Sequence, residues 1–141
     1  AALLRKDGTI STMWGCPTLN PTQSFFVAVE HRNHIGAVSH DAIPVVNNRI
    51  TYDFTQQQSY IPTGLPASGQ LQVGSFFCLF ASDASKASFS EINANDASLW
   101  ANDNGKFGIY KTSDFNLDGE VNANDASIWR RNNGKFSGVQ F

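Results

Sequence analysis

Asp114-Phe-Asn-Leu-Asp-Gly-Glu-Val-Asn-Ala-Asn-Asp125 is the stretch around which the chain is organised. Asp114, Asn116 and Asp118 alternate, so three oxygen-bearing side chains can converge while the residues between them point away. Gly119 stands where such a loop must turn sharply, and Val121 is the apolar residue that would anchor it to a core. Asp125 closes the loop at its twelfth position. Calcium takes roughly six to eight oxygens and tolerates irregular geometry, which suits a short acidic loop bent round a glycine. The commonest pattern of this kind ends in Glu. Asp125 is a shorter carboxylate, so the loop must close tighter. The expected ligands are Asp114, Asn116, Asp118, the backbone carbonyl of Glu120, Asn122 directly or through water, and Asp125. The competing reading is a solvated acidic turn.

Outward from this loop, an internal repeat appears. Asn93-Ala-Asn-Asp-Ala-Ser-Leu-Trp100 recurs as Asn122-Ala-Asn-Asp-Ala-Ser-Ile-Trp129, and Asn104-Gly-Lys-Phe107 recurs as Asn133-Gly-Lys-Phe136. The copies lie about thirty residues apart, a spacing that signals a repeated supersecondary unit. Each copy predicts a short helix that starts near the last Asp of its loop and stops at Gly105 or Gly134, glycine being favoured just past a helix end. Leu99 and Trp100, and Ile128 and Trp129, are the expected inward faces. The first copy is poorer in ligands. Counting back from Asp96, its loop positions fall on Ser85, Ala87 and Phe89, and Asp83 lies two residues too early. A bulge would let Asp83, Ser85 or Ser88 join Asp96 in a weaker second site, since fewer carboxylates lower calcium affinity. The alternative is a metal-free loop kept for packing.

Residues up to about Phe80 read as strands. Ala2 to Lys6 and Thr9 to Trp14 flank the turn pair Asp7-Gly8 as a hairpin. Phe25 to Glu30 is rich in aromatic and β-branched residues, and Ile35 to Val38 continues it after a bend. Ile43 to Val46 and Arg49 to Phe54 flank Asn47-Asn48 as another hairpin, with Ile50, Tyr52 and Phe54 on one face. Gln56 to Gln70 is polar and reads as a surface loop, after which Leu71 to Val73 and Ser75 to Phe80 return to strand. Short strands separated by turn signals, without a long helical period, predict a mainly β chain: a β-sandwich over residues 1–81, followed by a small duplicated unit of calcium loops and short helices over residues 82–141.

The totals narrow the function classes. Eleven Phe, three Trp and three Tyr supply a real core. The net charge is −2 with no basic block, which argues against nucleic acid as a partner. No apolar run approaches the length of a membrane span. The chain begins at Ala1 without a signal peptide, so it reads as a processed protein or a piece of a longer one. Cys16 and Cys78 can pair if the protein is exported; otherwise Cys78 is a small buried hydrophobe and Cys16 a loop thiol.

Two resemblances follow from these residues. Asp114, Asn116, Asp118, Gly119, Val121, Asn122 and Asp125, together with the duplication, resemble a dockerin repeat, the paired calcium-loop-and-helix module of cellulosome enzymes. That resemblance implies a pseudo-twofold pair of loops, one calcium ion and a possible second, and partner contacts near Ala94-Asn95, Ala123-Asn124, Arg130 and Arg131. The helices are shorter than the dockerin pattern, and the first loop departs from it. Over nearly its whole length the chain resembles the C-terminal regions of secreted hemagglutinin- or adhesin-like surface proteins of Bacteroidota. In those, a short β-domain with a His-Arg-Asn-His-(Leu/Ile)-Gly motif, here His31-Arg-Asn-His-Ile-Gly36, runs into two calcium-loop repeats. This implies an extracellular, cell-surface, calcium-stabilised and non-catalytic module.

The remaining candidate chemistry is His31, Arg32, His34, His40 and Asp41, which contain enough ligands for zinc or acid–base work. On a straight strand His31 and His34 face opposite sides, unless the chain bends at Asn33. The plainer reading is that Arg32 and Asn33 hydrogen-bond a turn which the histidines flank. An enzyme is therefore not expected. Three functions remain: a structural adhesion module that pairs with itself, even into a fibre, or with another surface protein; a docking module acting through the repeat helices; and a carbohydrate-binding module using Trp14, Tyr52 and Tyr60.

Overall fold

The structure, a computed structural model, describes residues 3–4, 10–11, 20, 22–64, 69–86, 90–108 and 110–139. Its strands are β1 (Leu3–Leu4), β2 (Ile10–Ser11), β3 (Ser24–Phe25), β4 (Ala28–His31), β5 (His34–Val38), β6 (Ile43–Pro44), β7 (Gln70–Val73) and β8 (Phe76–Leu79). They form four antiparallel two-stranded sheets, β1-β2, β3-β6, β4-β5 and β7-β8. Two helices follow, α1 (Ala94–Asp103) and α2 (Ala123–Asn132). The described chain thus consists of small antiparallel sheets with two helices, and neither helix is long and apolar enough to cross a membrane.

The extended run expected over Phe25 to Glu30 is split. Phe25 pairs with Ile43, whereas β4 folds back on β5 through the Arg32-Asn33 turn, with a register shift between Val29 and His31. The Asn47-Asn48 turn is formed as expected. Both residues have positive φ (51° and 57°), the pattern of a tight hairpin turn, and Val46 and Arg49 exchange two backbone hydrogen bonds across it. The pairing stops there, and residues 50–54 do not continue as a strand. Tyr52 and Phe54 still share a face, their rings packed edge to face at 4.7 Å. The β7-β8 hairpin is in register from Gln70↔Leu79 to Val73↔Phe76. Its run of apolar residues is not a buried strand: Leu71, Val73, Phe76 and Cys78 are exposed, which corrects the expectation of a buried Cys78. Gly69, just before β7, runs so close to β5 that a Cβ there would lie 2.6 Å from the Gly36 carbonyl oxygen.

The helices begin two residues before the expected Asp. Asn93 and Asn122 are the N-caps, and Asp96 and Asp125 occupy the third helical position, where each completes a capping box. Each helix stops at an Asn followed by a glycine of positive φ, Gly105 at 88° and Gly134 at 84°. The repeat is expressed as reciprocal bonding. The Trp100 indole N–H donates to the Asn122 carbonyl, and the Trp129 indole N–H donates to the Asn93 carbonyl (2.8 and 2.9 Å). Val121 N–H donates to Lys106 O while Ile92 N–H donates to Lys135 O, and Gly105 N–H returns to Val121 O as Gly134 N–H returns to Ile92 O. Each loop is therefore bonded to the segment that follows the other loop's helix.

The central apolar cluster is Ile35, Phe80 and Ile92, with half-buried Trp129 packed on it. Ile35 comes from β5 and Phe80 directly follows β8, while Ile92 and Trp129 come from the repeat. The core thus straddles position 81/82. Trp129→Ala should lower stability by about 3 kcal/mol, through lost burial and a lost indole hydrogen bond. Trp100→Ala, which loses the matching hydrogen bond without that core contact, should cost about half as much; denaturant melts of the two variants test the difference.

Candidate metal centre

The Asp114–Asp125 loop is closed by its last residue. Asp125 is fully buried, and one carboxylate oxygen accepts the N–H groups of Phe115 and Asn116 (2.7 and 3.1 Å) while the other accepts that of Asn122 (2.9 Å). It therefore ties the loop's first turn to the start of α2. Asp114, also buried, accepts the N–H groups of Asp118 and Gly119, both at 3.2 Å. Asn116 Oδ1 accepts Asp118 N–H, and Asp118 Oδ1 accepts Glu120 N–H. Leu117 and Gly119, with φ of 63° and 90°, give the chain the curl that points these N–H groups inward. Val121 is buried, as its place in the loop predicted. Asn122 caps α2: its Oδ1 accepts Asn124 N–H, and its Nδ2 donates to Glu120.

These residues assemble oxygens only. No group of three or more His, Cys, Asp or Glu side chains gathers among the described residues as a ready-made metal cluster. The loop's donors are instead Asp114, Asn116 and Asp118, with backbone carbonyls beside them. A carboxylate oxygen that accepts one N–H keeps a second lone pair. Hard oxygen donors of mixed charge suit calcium, whereas zinc prefers nitrogen and sulfur. Asn116 Nδ2 donates to Asp118 at 2.7 Å, so these two side chains already face each other. The loop concentrates the carboxylates of Asp114, Asp118, Glu120 and Asp125, and among the described residues the ion pair reaching them is Arg32 to Asp114, at 3.6 Å.

Arg32 and Asn33 are the functional residues whose role the sequence reading missed. The reading confined them to their own turn; the structure uses them to hold the repeat. Arg32 donates to Lys111 O at 2.6 Å and lies 3.7 Å above the Tyr110 ring. Asn33 is fully buried. Its carbonyl accepts the N–H groups of Ser82 and Asp83, and its Nδ2 donates to Asp114 O at 2.6 Å. One turn residue thereby touches the start of both loops. The signal was present as two adjacent polar residues at the tip of an apolar hairpin, but their partners lie some fifty to eighty positions away, roughly beyond the reach of any local pattern.

In the first loop, Asp96 repeats the role of Asp125. It accepts the N–H groups of Ala84 and Ser85, both at 2.8 Å, and that of Asn93 at 2.7 Å. By this bonding Asp83 corresponds to Asp114, and the loop accommodates its extra length after Ser85. Ser88 lies outside the described residues. Asp83 is fully buried, accepts the Ser90 hydroxyl at 2.7 Å and pairs with Lys86 at 3.2 Å. Burial pushes its carboxyl pKa up, against the lowering effect of Ser90 and Lys86. Of the described candidates for the weaker site, Asp83 is paired with a lysine, and Asp96 is bonded to backbone N–H groups as Asp125 is.

The histidines flank the Arg32-Asn33 turn, as expected. The turn at Arg32-Asn33 pairs His31 directly with His34, ring centroids 4.4 Å apart, so they share one face. Burial lowers the His34 pKa to about 4, assisted by the positive groups His31, Lys86 and Arg32. His31 is lowered by the same burial and by Arg32. A cationic surround makes a poor zinc site. His40 sits apart at the surface, paired with Asp41.

The other candidates are scattered. Trp14 and Cys16 lie outside the described residues, so neither the sugar-stacking role of the one nor the pairing of the other with Cys78 is described. Tyr52 is half-buried, and its hydroxyl bridges His40 N–H and Gln58 O, while Tyr60 is exposed. Ala94, Asn95, Ala123 and Asn124 are exposed at the helix starts, and a shallow groove between the helices is lined by Ala97, Trp100, Ala101, Ala126, Trp129 and Arg130. Comparison with protein-family models, with curated proteins and with solved structures finds no match to this chain.

A group whose folded pKa is depressed below its unfolded value binds its proton more readily once the chain unfolds. For His34 this contribution to stability is complete above about pH 6.5 and is lost as pH falls toward about 4. His34→Gln should therefore flatten the pH dependence of the melting temperature within that window, leaving the neutral-pH melt much closer to wild type. Parallel melts of the two chains from pH 7 to pH 4 check it.

Proposed function

We propose that the chain is a non-catalytic, extracellular, calcium-stabilised structural module of a cell-surface protein, able to assemble with itself or with another surface protein. In this reading a β-sandwich is joined to a duplicated dockerin-like pair of loops, and calcium in the Asp114–Asp125 loop locks the second unit onto the first. The observation that carries it is the bonding at Asp114. The first residue of the acidic loop is gripped from the β half, by Arg32 on its carboxylate and by Asn33 on its carbonyl. An ion held by that loop is thereby connected to the strands as well as to α2. Four carboxylates in so short a loop repel one another, so binding a divalent ion there would add its free energy to folding.

Self-assembly is supported by the β7-β8 hairpin. Leu71 and Val73 on β7 stand opposite Cys78 and Phe76 on β8, and all four are exposed on one face. An apolar, lightly paired edge of this kind invites a neighbouring strand. The groove between α1 and α2 favours a second reading, in which the helices dock a partner protein through Trp100, Trp129 and Arg130. Loss of partner capture on Arg130→Ala with Arg131→Ala, with calcium-dependent stability unchanged, would move the assignment to docking.

At free calcium ~1,000-fold above its dissociation constant, the melting temperature should rise by roughly 10 °C over the chelated protein. Asp118→Ala should abolish that rise, while Ser85→Ala leaves it in place. Identical melts in calcium and in excess chelator would defeat the proposal.

A further inference from the structure

The two loops share a closing device and differ in what faces their first carboxylate. In the second, Asp114 accepts two backbone N–H groups and faces the Arg32 guanidinium only at 3.6 Å, an arm that reaches in from outside the loop. In the first, Asp83 accepts the Ser90 hydroxyl and the Lys86 ammonium. Lys86 and Leu117 occupy matching places three residues after these aspartates, and both have the left-handed backbone, φ 45° and 63°. The curl is thus common to the loops, but in the first it delivers an ammonium. Lys86 Nζ lies 3.2 Å from Asp83 and 2.6 Å from the His34 carbonyl oxygen, so it joins the loop to β5.

This arrangement does not fit a divalent ion. One oxygen of Asp83 is already shared by a hydroxyl and an ammonium. Asp96 has both oxygens engaged by three backbone N–H groups, as Asp125 has, so the difference between the loops lies at Asp83 and not at the closing aspartate. Ser85 stands where the second loop has Asn116, and a hydroxyl is the weaker ligand. An ion entering beside Asp83 would meet a positive charge at contact distance, and would have to displace Lys86 from both of its partners. Asp83 Oδ1 is buried without a hydrogen-bond partner among the described residues, so this carboxylate is short of donors. An ammonium supplies three, two of which are in use here.

We propose that the first loop is a metal-independent counterpart of the second, in which the Lys86 ammonium stands in for the divalent ion, so that the chain binds one calcium ion and not two. The stoichiometry rests on the reading of the second loop given above; the role of Lys86 does not. The loop carries its cation covalently, and its closure is indifferent to calcium concentration.

Titration of the chelator-stripped full chain with calcium chloride, followed by calorimetry, should give one equivalent, and Asp118→Ala should give none. Two equivalents, or one that survives Asp118→Ala, would overturn the proposal. In excess chelator, Lys86→Met should melt several degrees below wild type, with Lys86→Arg in between. An unchanged melt for Lys86→Met would also overturn it. If wild type binds no calcium, the reading of the second loop fails, and these melts alone decide the role of Lys86. The titration uses the unaltered chain, so it remains decisive if Lys86→Met does not fold.

Discussion

Asn33 is the residue on which the two halves of the chain depend. It is fully buried at the tip of the β4-β5 hairpin, where an unbonded carboxamide would be costly. Its backbone carbonyl holds the start of the first loop, its Nδ2 holds the start of the second, and its Oδ1 meets the His34 ring. No apolar residue of similar volume can make the two side-chain bonds. The hairpin tip therefore acts as a polar plug between the loops, and the apolar cluster of Ile35, Phe80, Ile92 and Trp129 seals the joint. With the plug in place, Arg32 is committed to Asp114 and Lys111, and Lys86 to Asp83 and the His34 carbonyl, so each of these two cations has a defined anion and carbonyl to face.

The repeat shows how near-identical segments interlock. Because each tryptophan bonds to the cap of the other helix, and each loop to the segment after the other helix, neither copy completes its own hydrogen bonds. A single copy would leave an indole N–H and several backbone groups without partners. That gives a physical reason for the pairing of two copies, independent of any ion.

Local chemistry was legible in the sequence; distant pairing was not. The helix stops at Gly105 and Gly134, the Asn47-Asn48 turn, the β7-β8 hairpin and the buried Val121 all follow from rules that act within a few residues. The helices start near Asp96 and Asp125, as expected, but two residues ahead of them, because each aspartate closes a capping box from the third helical position. The exposure of Phe76 and Cys78 was missed because a continuous apolar run looks the same whether it is covered on one face or on both. The turn that His31 and His34 flank was legible from Arg32-Asn33, whereas the edge-to-face contact of the two rings follows from the pairing across that turn. For the candidate site, the acidic loop could be read from spacing alone. The grip of Arg32 and Asn33 on it could not, because no periodicity links residues so far apart.

The first loop shows why ligand counting alone misjudges such a site. Asp83, Ser85 and Asp96 supply oxygens, and a tally of oxygens predicts a weakened version of the second loop. A tally of charges gives another answer, since Lys86 lies among them and reaches Asp83. A buried carboxylate needs a counter-charge more than it needs a particular coordination number. Where the chain supplies that charge on a tether, closure costs no dependence on the surroundings; where it supplies only Arg32 against four carboxylates, the proposed calcium ion would meet the remaining charge. On this reading the duplicated sequence has divided one task into a loop that is always closed and a loop whose closure tracks the ion.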